Sequence, residues 1–129
     1  MKNSQELKVV MIIEPEVLVR MVVAEYLRDC GYTVIEGMAA KDLWTVLDSG
    51  HRLDVVVAEM GAVDGFSFAK RVRQTHPDID VILTSGITGA AHESHELCKE
   101  GPIKQPYHPR DVEARIRVLL ERRRVATKS

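Results

Sequence analysis

The chain has 129 residues, of which 45% are apolar and 29% charged, and its formal net charge is -1. This length is enough for one domain with a proper core, and the balanced charge gives no electrostatic reason to expect nucleic acid or an acidic membrane surface as the main partner. No apolar run approaches the length of a membrane span, and the polar stretch from Met1 to Leu7 lacks the apolar core of a signal peptide.

The first predicted elements are a strand and an amphipathic helix. Lys8 to Ile13 is a short apolar run rich in β-branched residues, which is typical of a buried strand, and Glu14-Pro15-Glu16 ends it. Helical spacing of apolar residues follows, and Gly31 is placed as a C-cap. The predicted buried stripe of this helix consists of Val19, Val22, Val23, Tyr26, Leu27 and Cys30.

The middle of the chain continues the alternation. Tyr32 to Ile35 predicts a second strand, Lys41 to Leu47 a second helix closed by Gly50, and Leu53 to Ala58 a third strand that is apolar on both faces. Gly65 to His76 then predicts a helix, which Pro77 prevents from continuing. Its inward residues are predicted to be Phe66, Phe68, Ala69 and Val72.

The last third of the chain predicts a strand from Ile79 to Thr84, a short helix between Ala90 and Cys98, and a marginal strand from Pro102 to Lys104. Pro109 suits the first position of a final helix. The buried stripe of that helix is predicted to be Val112, Ile116, Leu119 and Leu120.

Strands that are buried on both faces and joined by helices predict an α/β fold, with one parallel sheet and helices on both sides. Such folds place their working site at the carboxyl ends of the strands, near the point where the strand order reverses. The residues that follow strands one, three, four and five are Glu14, Glu59, Ser85 and Gln105.

Five segments in order resemble the receiver domains of response regulators in two-component signalling, over about Lys8 to Leu120. The segments are 12–20 with the acidic loop, 53–59 ending at the phosphoacceptor position, Asp64-Gly65-Phe66, 81–86 with the switch hydroxyl, and Gln105-Pro106-Tyr107. The resemblance implies a single doubly wound domain over 1–129, with five strands in the flavodoxin-like order 2-1-3-4-5. We expect its core at about 8–120 and a basic tail at about 122–129.

The resemblance also implies a chemistry that these residues have largely lost. A receiver accepts a phosphoryl group on its own aspartate, beside an Mg²⁺ ion that acidic oxygens hold. A lysine and a hydroxyl stabilise the added charge. Here the acceptor position is Glu59, one methylene longer, and misplacing the carboxylate by about a bond length costs on the order of 100-fold in rate. The second acidic position is Pro15, and the lysine position is the neutral Gln105.

Metal binding is expected to be weak or absent, because only Glu14 and Glu59 remain as ligands, and no cofactor is predicted. The loop from Glu59 to Asp64 is two residues shorter than usual in the family, and that loop normally supplies a carbonyl to the metal. Ser85 keeps the switch hydroxyl. The structural alternatives are that Glu14 and Glu16 are solvated loop acids and that Ser85 is an ordinary loop hydroxyl.

Our main interpretation is a cytoplasmic signalling module, not an enzyme, that binds a histidine kinase, a phosphotransfer protein or another regulator without being switched. Glu59 as a permanent mimic of phospho-aspartate, or as an unusual phosphoacceptor, is the alternative. A flavin or nucleotide carrier of the same fold is disfavoured, because the acidic segment 14–16 would repel phosphate.

Receivers meet phosphotransfer partners through the first helix and the loop after the fifth strand. This implies a partner surface of Leu18, Met21 and Tyr107, and a homodimer is a further possibility. The arginines at 122–124 fit a helix C-terminus better than DNA contact. His92, His95 and Cys98 are interpreted as a polar helix face and not as a zinc site. Two cysteines, Cys30 and Cys98, predict no disulfide framework.

Overall fold

The computed structural model describes residues 8–85 and 108–128, which form a parallel sheet with helices on both faces. The four strands lie in the order β2-β1-β3-β4, which agrees with the predicted order as far as the fourth strand. The predicted fifth strand at 102–104 and the short helix between 90 and 98 lie outside the described residues. The strands are β1 Val9–Ile13, β2 Thr33–Gly37, β3 Val55–Glu59 and β4 Asp80–Thr84.

Within residues 8–85 and 108–128, five helices cover the two faces of this sheet. They are α1 Val17–Asp29, α2 Ala40–Asp48, α3 Met60–Val63, α4 Gly65–Thr75 and α5 Pro109–Lys128. Four of them were predicted, whereas α3 was not, because a four-residue helix is too short to show a helical period. None of the helices in the described ranges is long and apolar enough to cross a membrane.

The apolar strands are explained by burial on both sides. On β1, Val10 and Ile12 pack with α1 and α5, whereas Met11 and Ile13 face the opposite way and pack with α2, α3 and α4. Successive side chains of a strand point to opposite faces. Because both faces are covered, every β1 position except the partly exposed Val9 is buried, and the strand reads as a continuous apolar run.

The buried face of α1 differs from the predicted stripe. Val23, Ala24 and Leu27 are buried, whereas Val22 is 55% exposed and Cys30 is also exposed. Successive helical residues lie about 100° apart, so a face centred between Val23, Ala24 and Leu27 places Val22 on the far side of the helix. The predicted stripe was displaced because a small alanine contributes little to an apolar pattern.

The last helix buries Val112 and Ile116 of its predicted stripe, leaves Leu119 and Leu120 partly buried, and is longer than expected. Val112 and Ile116 are fully buried, and α5 continues to Lys128 through the residues expected to form a basic tail. The Arg123 Nε donates to Asp80 Oδ2 at 2.9 Å, and its Nη2 donates to the carbonyl of Pro77 at 3.2 Å. Arg123 therefore connects the last turns of α5 to the beginning of β4.

Candidate functional site

The carboxyl ends of three strands bring the predicted site residues to one edge of the sheet. Ile13 pairs with Ala58 in the β1–β3 ladder, and Glu59 pairs with Thr84 in the β3–β4 ladder. Glu14 and Ser85 directly follow β1 and β4. The parallel topology therefore places Glu14, Glu59 and Ser85 at the same edge, as predicted, while Gln105 lies outside the described residues.

Glu14 is a buried carboxylate and not a solvated loop acid. Its backbone N–H donates to the carbonyl of Gly37 at 3.0 Å, and its Oε2 accepts the backbone N–H of Glu16 at 2.9 Å. Only 4% of the residue is exposed. Its other oxygen, Oε1, is buried with no hydrogen-bond partner among the described residues. The backbone bond to the end of β2 holds the residue inside, which no property of an isolated glutamate would indicate.

The burial of Glu14 disfavours its charged form. Loss of solvation raises the pKa of Glu14 above the ordinary value of 4.5, and the negative charges of Glu59 and Glu16 raise it further. The N–H of Glu16 and the positive charge of Arg20 act in the opposite direction but do not cancel the effect. Glu14 therefore holds its proton more tightly than a solvated glutamate.

Arg20 is a positioning residue that the sequence analysis missed. Its Nη1 donates to the backbone carbonyl of Glu14 at 2.7 Å, and its Nε donates to Glu36 Oε1 at 3.2 Å. Arg28 donates to the other oxygen of Glu36 at 3.2 Å. The two arginines thus connect α1 with the end of β2 and with the loop after β1. The signal was present in the spacing, because Arg20 lies on the same helical face as Ala24 and Leu27.

Glu59 ends β3 and begins the short helix α3. It occupies the N-cap position of that helix without a side-chain capping bond. A Cβ atom placed on Gly61 would lie 3.2 Å from Glu59 Oε1 and 3.5 Å from Oε2, so the carboxylate lies against the first turn of α3. Asp64 then adopts the left-handed conformation, with φ 58°, between α3 and α4. One helical turn therefore follows the acceptor position directly.

Two buried hydroxyls lie at the end of β4. Thr84 and Ser85 are 1% and 4% exposed. The Thr84 hydroxyl points to the carbonyl of Ala58 at a long distance of 3.5 Å. Ser85 is therefore not a surface hydroxyl, and the expectation of an ordinary exposed loop residue was wrong. Loop position alone suggested exposure, but the residue directly follows the buried end of β4.

The Mg²⁺ implied by the resemblance requires acidic oxygens beside the acceptor. Glu14 supplies a carboxylate whose charged form burial disfavours, and Pro15 has no side-chain ligand. Within 8–85 and 108–128, no three His, Cys, Asp or Glu side chains come together as a metal-binding group. The residues present do not fit the family's metal site, so we derive no chemical step through a metal.

The outer face of α1 carries an exposed apolar patch near this edge. Leu18 is 72% exposed and Met21 is 54% exposed, as expected for residues off the buried stripe. Val17 and Val22 are also exposed, so the patch is larger than predicted. Tyr107, the third residue of the predicted partner surface, lies outside the described residues, as do His92, His95 and Cys98.

Comparison with known proteins agrees with this architecture. Residues 10–117 match the family model of the response regulator receiver domain. The chain is 29% identical over 118 residues to "Sensor kinase CckA" of Brucella abortus (strain 2308), covering 88% of this chain and 12% of the kinase. It is 26% identical over 118 residues to "Probable transcriptional regulator ycf27" of Cyanophora paradoxa, covering 89% of this chain and 49% of the regulator.

The chain thus spans half or less of the length of these relatives. Among solved structures, the CheY-like receiver domain protein of Methanospirillum hungatei JF-1 superposes with a TM-score of 0.79. The two are 18% identical, and the match covers 94% of this chain and 99% of that one. By fold, site position and family match, the chain belongs to the response regulator receiver domains, the signalling modules of two-component systems.

Proposed function

We propose that this receiver domain binds a protein of a two-component pathway without being switched by phosphorylation. The partner is a histidine kinase, a phosphotransfer protein or another regulator, and the setting is the cytoplasm. The observation that carries the proposal is the site itself, where Glu59 stands at the acceptor position and the buried Glu14 is followed by Pro15. The scaffold that presents the site is otherwise that of the family.

The acceptor position supports this proposal by its geometry. The carboxylate of Glu59 is one methylene further from the backbone than that of an aspartate, and it lies against Gly61. Phosphoryl transfer depends on positioning and on neutralising charge. The neutral side chain of Gln105, at the position where the family has a lysine, would not neutralise a phosphoryl group.

The charge around Glu14 supports it as well. Burial and the neighbouring acids Glu16 and Glu59 raise the pKa of Glu14, so holding it as an ionised metal ligand costs free energy. Glu59 as a permanent mimic of phospho-aspartate is a weaker explanation, because a carboxylate has a smaller charge than a phosphoryl group and lacks its oxygens.

A second candidate function is that of a receiver that is phosphorylated on Glu59. Two observations favour it. The buried Ser85 follows Thr84, the register partner of Glu59, and Glu14 has one buried oxygen without a partner in the described part of the chain. A hydroxyl and an acid in these places are what a working receiver would retain.

Labelling with radioactive acetyl phosphate and Mg²⁺ distinguishes the two candidates. We expect no label on the wild-type chain, while a conventional receiver domain in the same reaction is labelled and verifies the donor. The matched variant is Glu59→Gln. Mg²⁺-dependent label on the wild type that disappears in Glu59→Gln would show that Glu59 is a phosphoacceptor, and the proposal would fail.

We further propose that the exposed patch on α1 contacts this pathway partner. Leu18 and Met21 are its most prominent residues, and Val17 and Val22 extend it along the same helix. Exposed apolar side chains grouped in this way are characteristic of interaction sites. Tyr107 is included in the proposed surface on the basis of its place in the sequence. The mass of the chain in solution tests whether it forms a homodimer.

A further inference from the structure

A small groove lies between α2 and α4, on the opposite face of the sheet from α1. Its volume is about 170 Å³, which suits one large side chain. Val63 and Phe68 are buried in the core beneath it. The groove is lined by Trp44, Val63, Asp64, Ser67, Phe68 and Arg71.

The guanidinium of Arg71 lies over the aromatic wall of this groove. Its guanidinium carbon lies 4.3 Å from the centroid of the Trp44 ring. The same ring lies 6.1 Å from that of Phe68. The side chain of Arg71 is exposed. Among the described residues, no carboxylate forms an ion pair with it. Stacking restricts the planar guanidinium and leaves its N–H donors available for a carboxylate.

The charges along the groove are separated. Between Gly65 and Thr75, α4 contains Lys70, Arg71 and Arg73 and no acid. Among the described residues, Asp64 is the only acid that lines the groove. It precedes α4, where the dipole of the helix offsets its charge. At 1.5 Å per residue, Arg71 lies about 10 Å further along the helix axis. The described lining of the groove thus combines one acid, an aromatic wall and one cation that lies over that wall.

We propose that this groove binds an acidic peptide segment of a partner protein. One large apolar side chain of the segment fills the space beside Trp44 and Phe68. A carboxylate of the segment forms a bidentate pair with Arg71, and backbone N–H groups or hydroxyls meet Asp64. The site is separate from the patch on α1, and it does not depend on whether Glu59 accepts a phosphoryl group.

The shape of the groove favours a peptide over a nucleic acid. Binding to a phosphate backbone relies on several cations in a row. Among the described residues a single arginine lines the cavity, so a phosphate backbone would meet no row of cations. A pocket for one apolar side chain beside one stacked arginine matches the anchors that dominate protein interfaces.

The test is a selection of phage-displayed random linear peptides on the immobilised full chain. We expect enriched peptides that combine Asp or Glu with one large apolar residue. Trp44 is the only tryptophan, so binding of a synthesised selected peptide should change the fluorescence of the free chain. Losing a charge-assisted bidentate pair should weaken binding by about 10-fold or more in Arg71→Ala.

The matched control is Lys70→Ala, which removes an exposed positive charge next to Arg71 that does not line the groove. We expect it to bind the selected peptide as the wild type does. Arg71→Lys, which keeps the charge but not the planar fork, should weaken binding nearly as much as Arg71→Ala. The proposal is overturned if no peptide is enriched over an Arg71→Ala selection, or if the two alanine variants behave alike. Displacement of the peptide by a short DNA duplex would also overturn it.

Discussion

The backbone N–H of Glu16 donates to Oε2 of Glu14 at 2.9 Å and turns that carboxylate back over the loop after β1. The other oxygen of Glu14 is left buried without a partner in the described part of the chain. One carboxylate oxygen of Glu14, the first acidic position of this receiver, therefore accepts a hydrogen bond from its own loop. This arrangement has a measurable consequence for stability.

The first prediction concerns the dependence of stability on pH. The pKa of Glu14 is raised in the folded state, so the stability that its proton contributes is fully present below about 4.5 and is lost as the pH rises through the raised pKa. Glu14→Gln removes the buried charge. It should therefore be more stable than the wild type at neutral pH, by on the order of 1 kcal/mol.

Urea unfolding of both proteins at a series of pH values from 4.5 upward measures this difference. The control is Glu25→Gln, since Glu25 is exposed on α1 and is not among the charges that shift the pKa of Glu14. A Glu14→Gln variant that is less stable than the wild type at neutral pH, or that keeps the same pH dependence, would contradict the assigned burial.

The second prediction compares two glycines near the site. A Cβ at Gly37 would lie 2.8 Å from Met11 Cε, which is in the buried core, and 3.0 Å from Asp42 Cβ, which is fixed to the backbone of α2. Gly37→Ala should cost about 1–3 kcal/mol of stability through overpacking. In Gly61→Ala the new atom meets only the flexible end of Glu59. It should change stability by less than about 1 kcal/mol, because alanine also favours a helix.

Thermal unfolding measures both stabilities, and NMR of the side-chain carboxyl of Glu59 shows whether Gly61→Ala displaces it. Equal losses of stability in the two variants would contradict the described packing at the end of β2. An unchanged Glu59 signal in Gly61→Ala would mean that the carboxylate does not lie against α3.

The third prediction uses two adjacent valines on α1. Val23 is 2% exposed and Val22 is 55% exposed. Val23→Ala should destabilise the fold by about 2 kcal/mol, because it leaves a cavity against the sheet. Val22→Ala should change stability by no more than about 0.5 kcal/mol. Denaturant unfolding measures both changes. A larger loss of stability for Val22→Ala than for Val23→Ala would mean that Val22 is buried, as the sequence pattern predicted.

Much of the fold was predictable because a strand that is buried on both faces has a continuous run of apolar residues. Val55 to Ala58 are all buried and all apolar, so the strand is visible without any alternation. Parallel topology then brings the ends of the strands together, and for this reason the sequence predicts Glu14, Glu59 and Ser85 at one edge of the sheet.

The errors of prediction concern features that the spacing of apolar residues does not reveal. The helix α3 has four residues, fewer than a pattern needs. Val22 was assigned to the core because its apolar character was counted, while the buried Ala24 added nothing to the pattern. The burial of Glu14 depends on the carbonyl of Gly37, which is distant in sequence. A carboxylate's partners are set by tertiary structure, so its burial could not be predicted from its type.

The fourth prediction concerns the end of α5. The Arg123 side chain pairs with Asp80 at 2.9 Å and is about one-third exposed. Solvent screening limits such a pair, so Arg123→Ala should cost about 0.5–1 kcal/mol. The helix should also fray from its last turns, which hydrogen exchange of residues 121–128 would detect. The control is Arg124→Ala, which breaks an exposed pair with Glu121 on the same helix and should leave exchange unchanged. Equal exchange in both variants would contradict the role of Arg123.

The proposal that phosphorylation does not switch this domain is tested most directly by amide NMR. Spectra of the labelled chain are compared with and without Mg²⁺ and beryllofluoride, a phosphoryl mimic. If the site does not bind a phosphoryl-like group, as we propose, the resonances of Glu14, Glu59 and Ser85 stay unchanged in a well-folded sample. Saturable shifts centred on these residues and on Gln105 would contradict it, and would identify the domain as a receiver that still switches.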